Sequence, residues 1–206
     1  LIFPYKGRLV ALNTWEGANL VASTQNPRRA RWSQNGDSLQ ANAWRSDTAG
    51  LGGYVDAPTA EHIVSASFIR DTLVVGFEKS LWRLRYTGNE ILPFVWERID
   101  SEFGVESTFS VVTVDSTQIS VGSKGIVACD AMNTKRIDDK IPDQVFKIHN
   151  ENNGIYRVHS ARDYDKKLIY WTFPSDNKNR TYPDRVLVFN YDNNSWSIFK
   201  DNLTCF

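Results

Sequence analysis

The feature that most constrains this chain is a recurring set of short strands with alternating apolar residues. Residues 63–70 (IVSASFIR), 72–78, 81–86 and 94–99 each read as a strand, rich in β-branched and aromatic side chains and broken by polar turns. A second set follows at 109–114, 117–122, 125–130 and 135–137, and a third at 155–162, 167–173, 185–191 and 195–199. The second strands of these sets centre on Leu73, Ile119 and Leu168, a repeat of roughly 45–50 residues, within the range of β-propeller blades. Turns at Arg70-Asp71, Asp115-Ser116 and Asp192-Asn193-Asn194 make each set a four-stranded meander. A lone meander cannot bury both faces, so neighbouring sets must stack. The opening stretch, with strands at 7–15, 19–24 and 29–33 and a loosely patterned run to residue 58, reads as a longer and more irregular fourth unit.

The pattern predicts an all-β chain: a β-propeller or propeller fragment of about four four-stranded antiparallel blades, at roughly 7–60, 61–100, 105–140 and 153–200 of a single region 1–206. A sandwich fits repeated four-strand units less well. One segment departs from the β pattern. Ile141, Val145 and Ile148 stand at i, i+4 and i+7, and Pro142 suits a first helical turn, so a short helix is expected over 142–151. Leu73, Val75, Val112, Val114, Ile119, Val121, Ile169, Trp171, Val186 and Val188 are the expected core. The chain opens on Leu1 rather than Met and stops at Phe206, which suggests a piece of a longer protein.

Composition narrows the function classes. Lys+Arg and Asp+Glu are both 24, so the formal net charge is zero, and bulk charge gives no grip on nucleic acid or anionic membrane. No run approaches a membrane span, and no membrane insertion is expected. Two cysteines, Cys129 and Cys205, make neither a disulfide framework nor a cysteine zinc site, and Cys129 in its apolar run reads as a small buried side chain.

Residues capable of chemistry are few. His62, His149 and His159 show no metal-ligand spacing, and no nucleophile elbow occurs. Asp163 and Asp165 are the densest acid pair, but their place between two strands favours a turn over a glycosidase pair. Asp138-Asp139 read as charge before the expected helix. Gly50-Leu51-Gly52-Gly53 lacks the lysine and the strand-to-helix switch of a phosphate cradle and reads as a loop. Trp82, Trp96, Trp171 and Trp196 suit packing between blades. The expectation is no catalytic residue, no metal, no cofactor and no enzyme activity. The remaining candidate is Arg28, Arg29, Arg31 and Trp32, a basic cluster beside an aromatic, as a contact for a neighbouring subunit or DNA. With zero net charge, DNA contact is expected to be weak at most. Pairing with carboxylates of a neighbouring blade or subunit is expected instead.

Several phrases together carry a resemblance. They are Gly7-Arg8-Leu9-Val10, Arg31-Trp32-Ser33-Gln34-Asn35-Gly36-Asp37, Ser80-Leu81-Trp82-Arg83-Leu84, Gly122-Ser123-Lys124-Gly125-Ile126 and the closing 186–197 (VLVFNYDNNSWS). In this order they resemble the β-propeller virion proteins of tailed bacteriophages, found in head-to-tail connectors, hubs and nozzles. The resemblance implies a structural protein of the phage tail. It also implies partners among other virion proteins and copies of itself in a ring. The rival expectation is a carbohydrate-active or carbohydrate-binding propeller acting on host-surface glycan.

Overall fold

A computed structural model describes residues 1–19, 21–141, 158–175 and 182–201. These residues form four four-stranded antiparallel sheets, each a simple meander in chain order. The first holds β1 (Ile2–Tyr5), β2 (Arg8–Gly17), β3 (Ser23–Trp32) and β4 (Gly53–Asp56). The second holds β5 (Ile63–Ile69), β6 (Thr72–Phe77), β7 (Leu81–Tyr86) and β8 (Phe94–Asp100). The third holds β9 (Val112–Val114), β10 (Thr117–Gly122), β11 (Gly125–Cys129) and β12 (Thr134–Arg136). The fourth holds β13 (His159–Asp163), β14 (Leu168–Phe173), β15 (Arg185–Asn190) and β16 (Ser195–Phe199). The helical element among the described residues is a 3-10 turn, Thr108–Ser110, where the sequence reading began a strand at 109. The helix expected at 142–151 lies outside the described residues. Among the described residues no helix is long and apolar enough to cross a membrane.

Successive sheets pack face to face, and β6 shows how. Its side chains alternate between two cores, because successive residues of a strand point to opposite faces. Leu73, Val75 and Phe77 join Tyr5, Val10, Leu12 and Trp32 in a cluster between the first and second sheets. Val74, with Ile69 and Leu81, turns the other way toward Cys129 of the third sheet and Ala131 in the β11–β12 turn. A strand covered on both sides reads as an unbroken apolar run, as Leu73-Val74-Val75-Gly76-Phe77 does. A third cluster joins Ile119, Val121 and Ile126 to Ile169, Trp171, Leu187 and Phe189 of the fourth sheet. All ten side chains expected in the core are buried.

Polar contacts fix the sheets at each seam. Tyr5 stacks on Phe94 at 5.2 Å between ring centroids, and its hydroxyl donates to the Leu84 carbonyl at 3.1 Å. The Trp96 indole donates to the Val55 carbonyl at 3.1 Å. The 3-10 turn ties three sheets together. Thr108 Oγ1 donates to the Val64 carbonyl at 2.7 Å, and the Trp171 indole donates to the Ser110 carbonyl at 2.8 Å. Just before the turn, Ser107 Oγ donates to the Val158 carbonyl at 2.8 Å.

Two strands of the first sheet depart from the sequence reading. The strands expected at 19–24 and 29–33 are ends of one ten-residue strand, β3. Its middle, Thr24-Gln25-Asn26-Pro27, has no apolar alternation, and Pro27 falls where the pairing with β2 loses register, so its missing N–H interrupts no ladder. Likewise β1 and β4 lie in stretches marked by Pro4 and by glycines, which mask short edge strands.

Trp171 is fully buried, with its indole N–H bonded and its ring stacked on Trp196 at 6.2 Å. Trp171→Ala is expected to lower unfolding stability by about 3–5 kcal/mol, read from urea denaturation. A loss below about 1 kcal/mol would contradict the packing described for the third seam.

Candidate functional site

The basic cluster singled out in the sequence is divided by strand parity. Arg29 and Arg31 share one face of β3, while Trp32 turns to the opposite face and into the core. There Trp32 meets Phe94 edge to face at 5.7 Å and lies over Gly53, where an added Cβ would come within 2.7 Å of the indole. Buried in this way, Trp32 has no free face for a base or a partner, which corrects its place among the candidate contacts. Arg28 is exposed and donates to the Thr59 carbonyl at 3.1 Å.

Arg29 and Arg31 do pair with carboxylates, but within their own sheet rather than in a neighbouring one. Arg29 places Nε and Nη2 on the two oxygens of Asp56 at 2.8 and 3.0 Å, a side-on fork across β3 and β4. Its Nη1 reaches Glu16 Oε2 at 3.1 Å, and Arg31 Nη1 reaches the same oxygen at 2.6 Å. Arg31 Nη2 donates to the Trp44 carbonyl at 2.8 Å. The Tyr54 ring lies 3.7 Å beneath the Arg29 guanidinium, adding a cation–π contact. Two guanidinium charges therefore face two carboxylates, and the pair carries no net charge to offer a phosphate.

The cluster has an architectural consequence. Ladder pairing runs from Leu12↔Ala30 directly to Thr14↔Asn26, leaving Asn13 opposite three residues of β3. Asn13 takes a positive φ of 52° there, a conformation Asn tolerates, and its amide bonds both Gln25 and the Ile63 carbonyl. Beyond this irregularity the β2–β3 hairpin carries Trp15 and Val21 exposed at its far end. Glu16 belongs to that far part and folds back onto Arg29 and Arg31, so the ion pairs brace the hairpin against the sheet.

The charges shift the acids. The Arg29 hydrogen bonds hold the Asp56 carboxyl below its usual range against the opposing effect of burial. Burial alone would raise Glu16, but the Thr14 hydroxyl and the charges of Arg31 and Arg29 outweigh it and hold this carboxyl low too. The Asp56 hydrogen bond in turn raises Arg29 further.

Several of the other sequence candidates make contacts where they are described. Asp163 Oδ1 accepts the Lys166 N–H at 3.0 Å in the β13–β14 turn. Asp138 is fully buried and held in a fork by Arg136 Nε and Nη2 at 2.6 and 3.1 Å. At Gly52 an added Cβ would stand 2.7 Å from the Trp44 backbone, whereas Gly50 faces open space at a positive φ of 84°. Trp82 and Trp96 meet edge to face in the first seam at 6.5 Å. His159 stacks on Phe109 at 5.1 Å, and His149 and Cys205 lie outside the described residues. Burial raises the Cys129 thiol to about 11, which keeps it protonated. Among the described residues no group of histidine, cysteine and acidic side chains is placed to hold a metal ion.

Sequence reasoning missed Arg8, the buried arginine of the described chain. Its Nη1 donates to the Ser33 and Leu51 carbonyls at 2.8 and 3.0 Å, and Nη2 lies 3.5 Å from the Glu90 carbonyl. One side chain at the start of β2 thus holds the β3–β4 and β7–β8 loops. The signal was present in parity, since Arg8, Val10 and Leu12 share a face.

No known family model matches the chain, and no curated protein matches it.

Because Glu16 and Asp56 are both depressed, their stabilisation is complete above the ordinary carboxylate range and lost as pH falls below it. Thermal unfolding of the native chain should lose stability between about pH 5 and pH 3, and a Glu16→Gln, Asp56→Asn variant should lose less over that window. Parallel pH profiles for the two proteins would contradict the ion-pair account.

Proposed function

We propose that this chain is a propeller-type module of a structural virion protein in the tail of a tailed bacteriophage. A head-to-tail connector, hub or nozzle component is the class that the sequence resemblance implies. The observation that carries the reading is the serial stack itself. Each of the second and third sheets contributes to an apolar cluster on both faces, whereas each end sheet contributes to one cluster. A stack of this kind continues naturally into further blades, and closure into a ring of blades belongs to the proposal.

The module would act as a rigid docking body whose loops and outer strands meet other virion proteins and copies of itself around the tail axis. DNA contact would be weak, because Arg29 and Arg31 already face Asp56 and Glu16. The glycan-acting alternative is less well supported. Trp82, Trp96, Trp171 and Trp196 pack in the seams or against them.

The test is mass spectrometry of purified phage particles that encode this chain, followed by immunogold labelling. The reading expects the chain in the particle at fixed stoichiometry, with label at the tail or its junction with the head. Absence from washed particles, or presence there only as a glycan-cleaving activity, would overturn it.

A further inference from the structure

Each sheet has two edge strands, and natural sheets protect such edges with charge, proline or cover, because unpaired N–H and C=O groups recruit another strand. This chain does so almost everywhere. β1 carries Pro4, β4 carries Asp56, β8 carries Glu97 and Arg98, β12 carries Lys135, and β13 carries Arg162. β5 and β9 have neither charge nor proline, but none of their residues is exposed. Among the described residues β16 is the exception. Ser195-Trp196-Ser197-Ile198-Phe199 has no charge and no proline, pairs with β15 on one side only, and has every residue but Trp196 exposed.

The apolar side chains of β16 are unevenly covered. Trp196 lies against Phe189 at 4.3 Å between ring centroids and on Trp171 at 6.2 Å, at the margin of the third seam. Ile198 shares its face of the strand, since Ile198 opposes Leu187 where Trp196 opposes Phe189, yet Ile198 is 36% exposed. Phe199 stands on the other face, opposite Val186, and is 55% exposed. Solvent thus reaches a strand of high β-propensity that carries nothing to repel a second one. The strand is also complementary to itself. An antiparallel copy related by a twofold axis at Ser197 brings all five residues into register, with Ser197 facing Ser197, Trp196 facing Ile198 and Ser195 facing Phe199. Serine then stands opposite serine or a large ring, Trp196 and Ile198 make a favoured aromatic–β-branched pair, and no like charges meet. The two Trp196–Ile198 pairs prolong the apolar face of the third seam across the joint.

We propose that β16 is a self-association edge: two copies of this chain pair through it, antiparallel about a twofold axis at Ser197, and join their four-stranded fourth sheets into one sheet of eight strands. The contact is isologous, so it closes at two copies. Five residue pairs make a small interface, so the dimer forms only as concentration rises. The inference is independent of the virion reading, since it rests on the exposure and composition of one sheet edge.

The experiment is analytical ultracentrifugation of the native chain over a concentration series, with Ser197→Lys and Ser197→Glu variants run in parallel. The expected result for the native chain is a monomer–dimer equilibrium. Ser197 is exposed, so neither variant should alter the fold, and melting curves followed by circular dichroism check this. Each variant sets like charges directly opposite one another across the axis and should weaken dimerisation about threefold to tenfold. An equimolar mixture of the two variants sets an ammonium against a carboxylate and should recover association as a mixed dimer. A native chain that stays monomeric throughout would overturn the proposal and leave the edge to a strand of another protein. Growth beyond the dimer, dimerisation indifferent to both variants, or a mixture that associates no better than either variant alone would each overturn it too.

Discussion

Everything in this fold depends on the two-sided burial of its middle sheets. An antiparallel meander with one covered face can leave the other to water, but β6 has apolar side chains on both sides and needs a neighbour on each. The first sheet covers Leu73, Val75 and Phe77, and the third covers Val74. The fourth sheet is placed by the same logic one step on, through Ile119 and Val121 against Ile169 and Trp171. The 3-10 turn Thr108–Ser110 then adds directional bonds to a packing that is otherwise non-directional, from Thr108 to the Val64 carbonyl and from the Trp171 indole to the Ser110 carbonyl.

The polar residues divide between holding loops and bracing strands. Arginine does both, because a guanidinium is planar, permanently charged and able to donate along several edges. In Arg29 the edges meet Asp56 and Glu16 and brace the long β2–β3 hairpin. In Arg8 they meet backbone carbonyls of two loops. What looks in the sequence like a basic patch is thus a set of separate devices, each with its own partners.

Much of the fold was legible because period-2 alternation survives wherever one face is buried. The second strands were read at their true positions around Leu73, Ile119 and Leu168, and the residues chosen as core are buried. The edge strands of the first sheet were not legible: Gly53-Tyr54-Val55-Asp56 carries one cross-strand ladder and too few residues for a pattern. Trp32 was misjudged because its neighbours in sequence are basic, although parity alone sets it opposite Arg29 and Arg31. Arg8 escaped notice for the converse reason, as a charged residue standing at core parity beside Val10 and Leu12. The contact between Glu16 and the arginines could not be read at all, since it depends on where the β2–β3 register breaks at Asn13.

Native-state hydrogen exchange tests the central claim most directly, that the sheets are held by their neighbours rather than each by itself. The amides of Val74 and Val75, on a strand buried from both sides, should exchange only through the global opening. Amides at the ends of the stack, in β1 and β16, should exchange through smaller openings. Protection that is equal in β1, β6 and β16, or weakest in β6, would contradict the account.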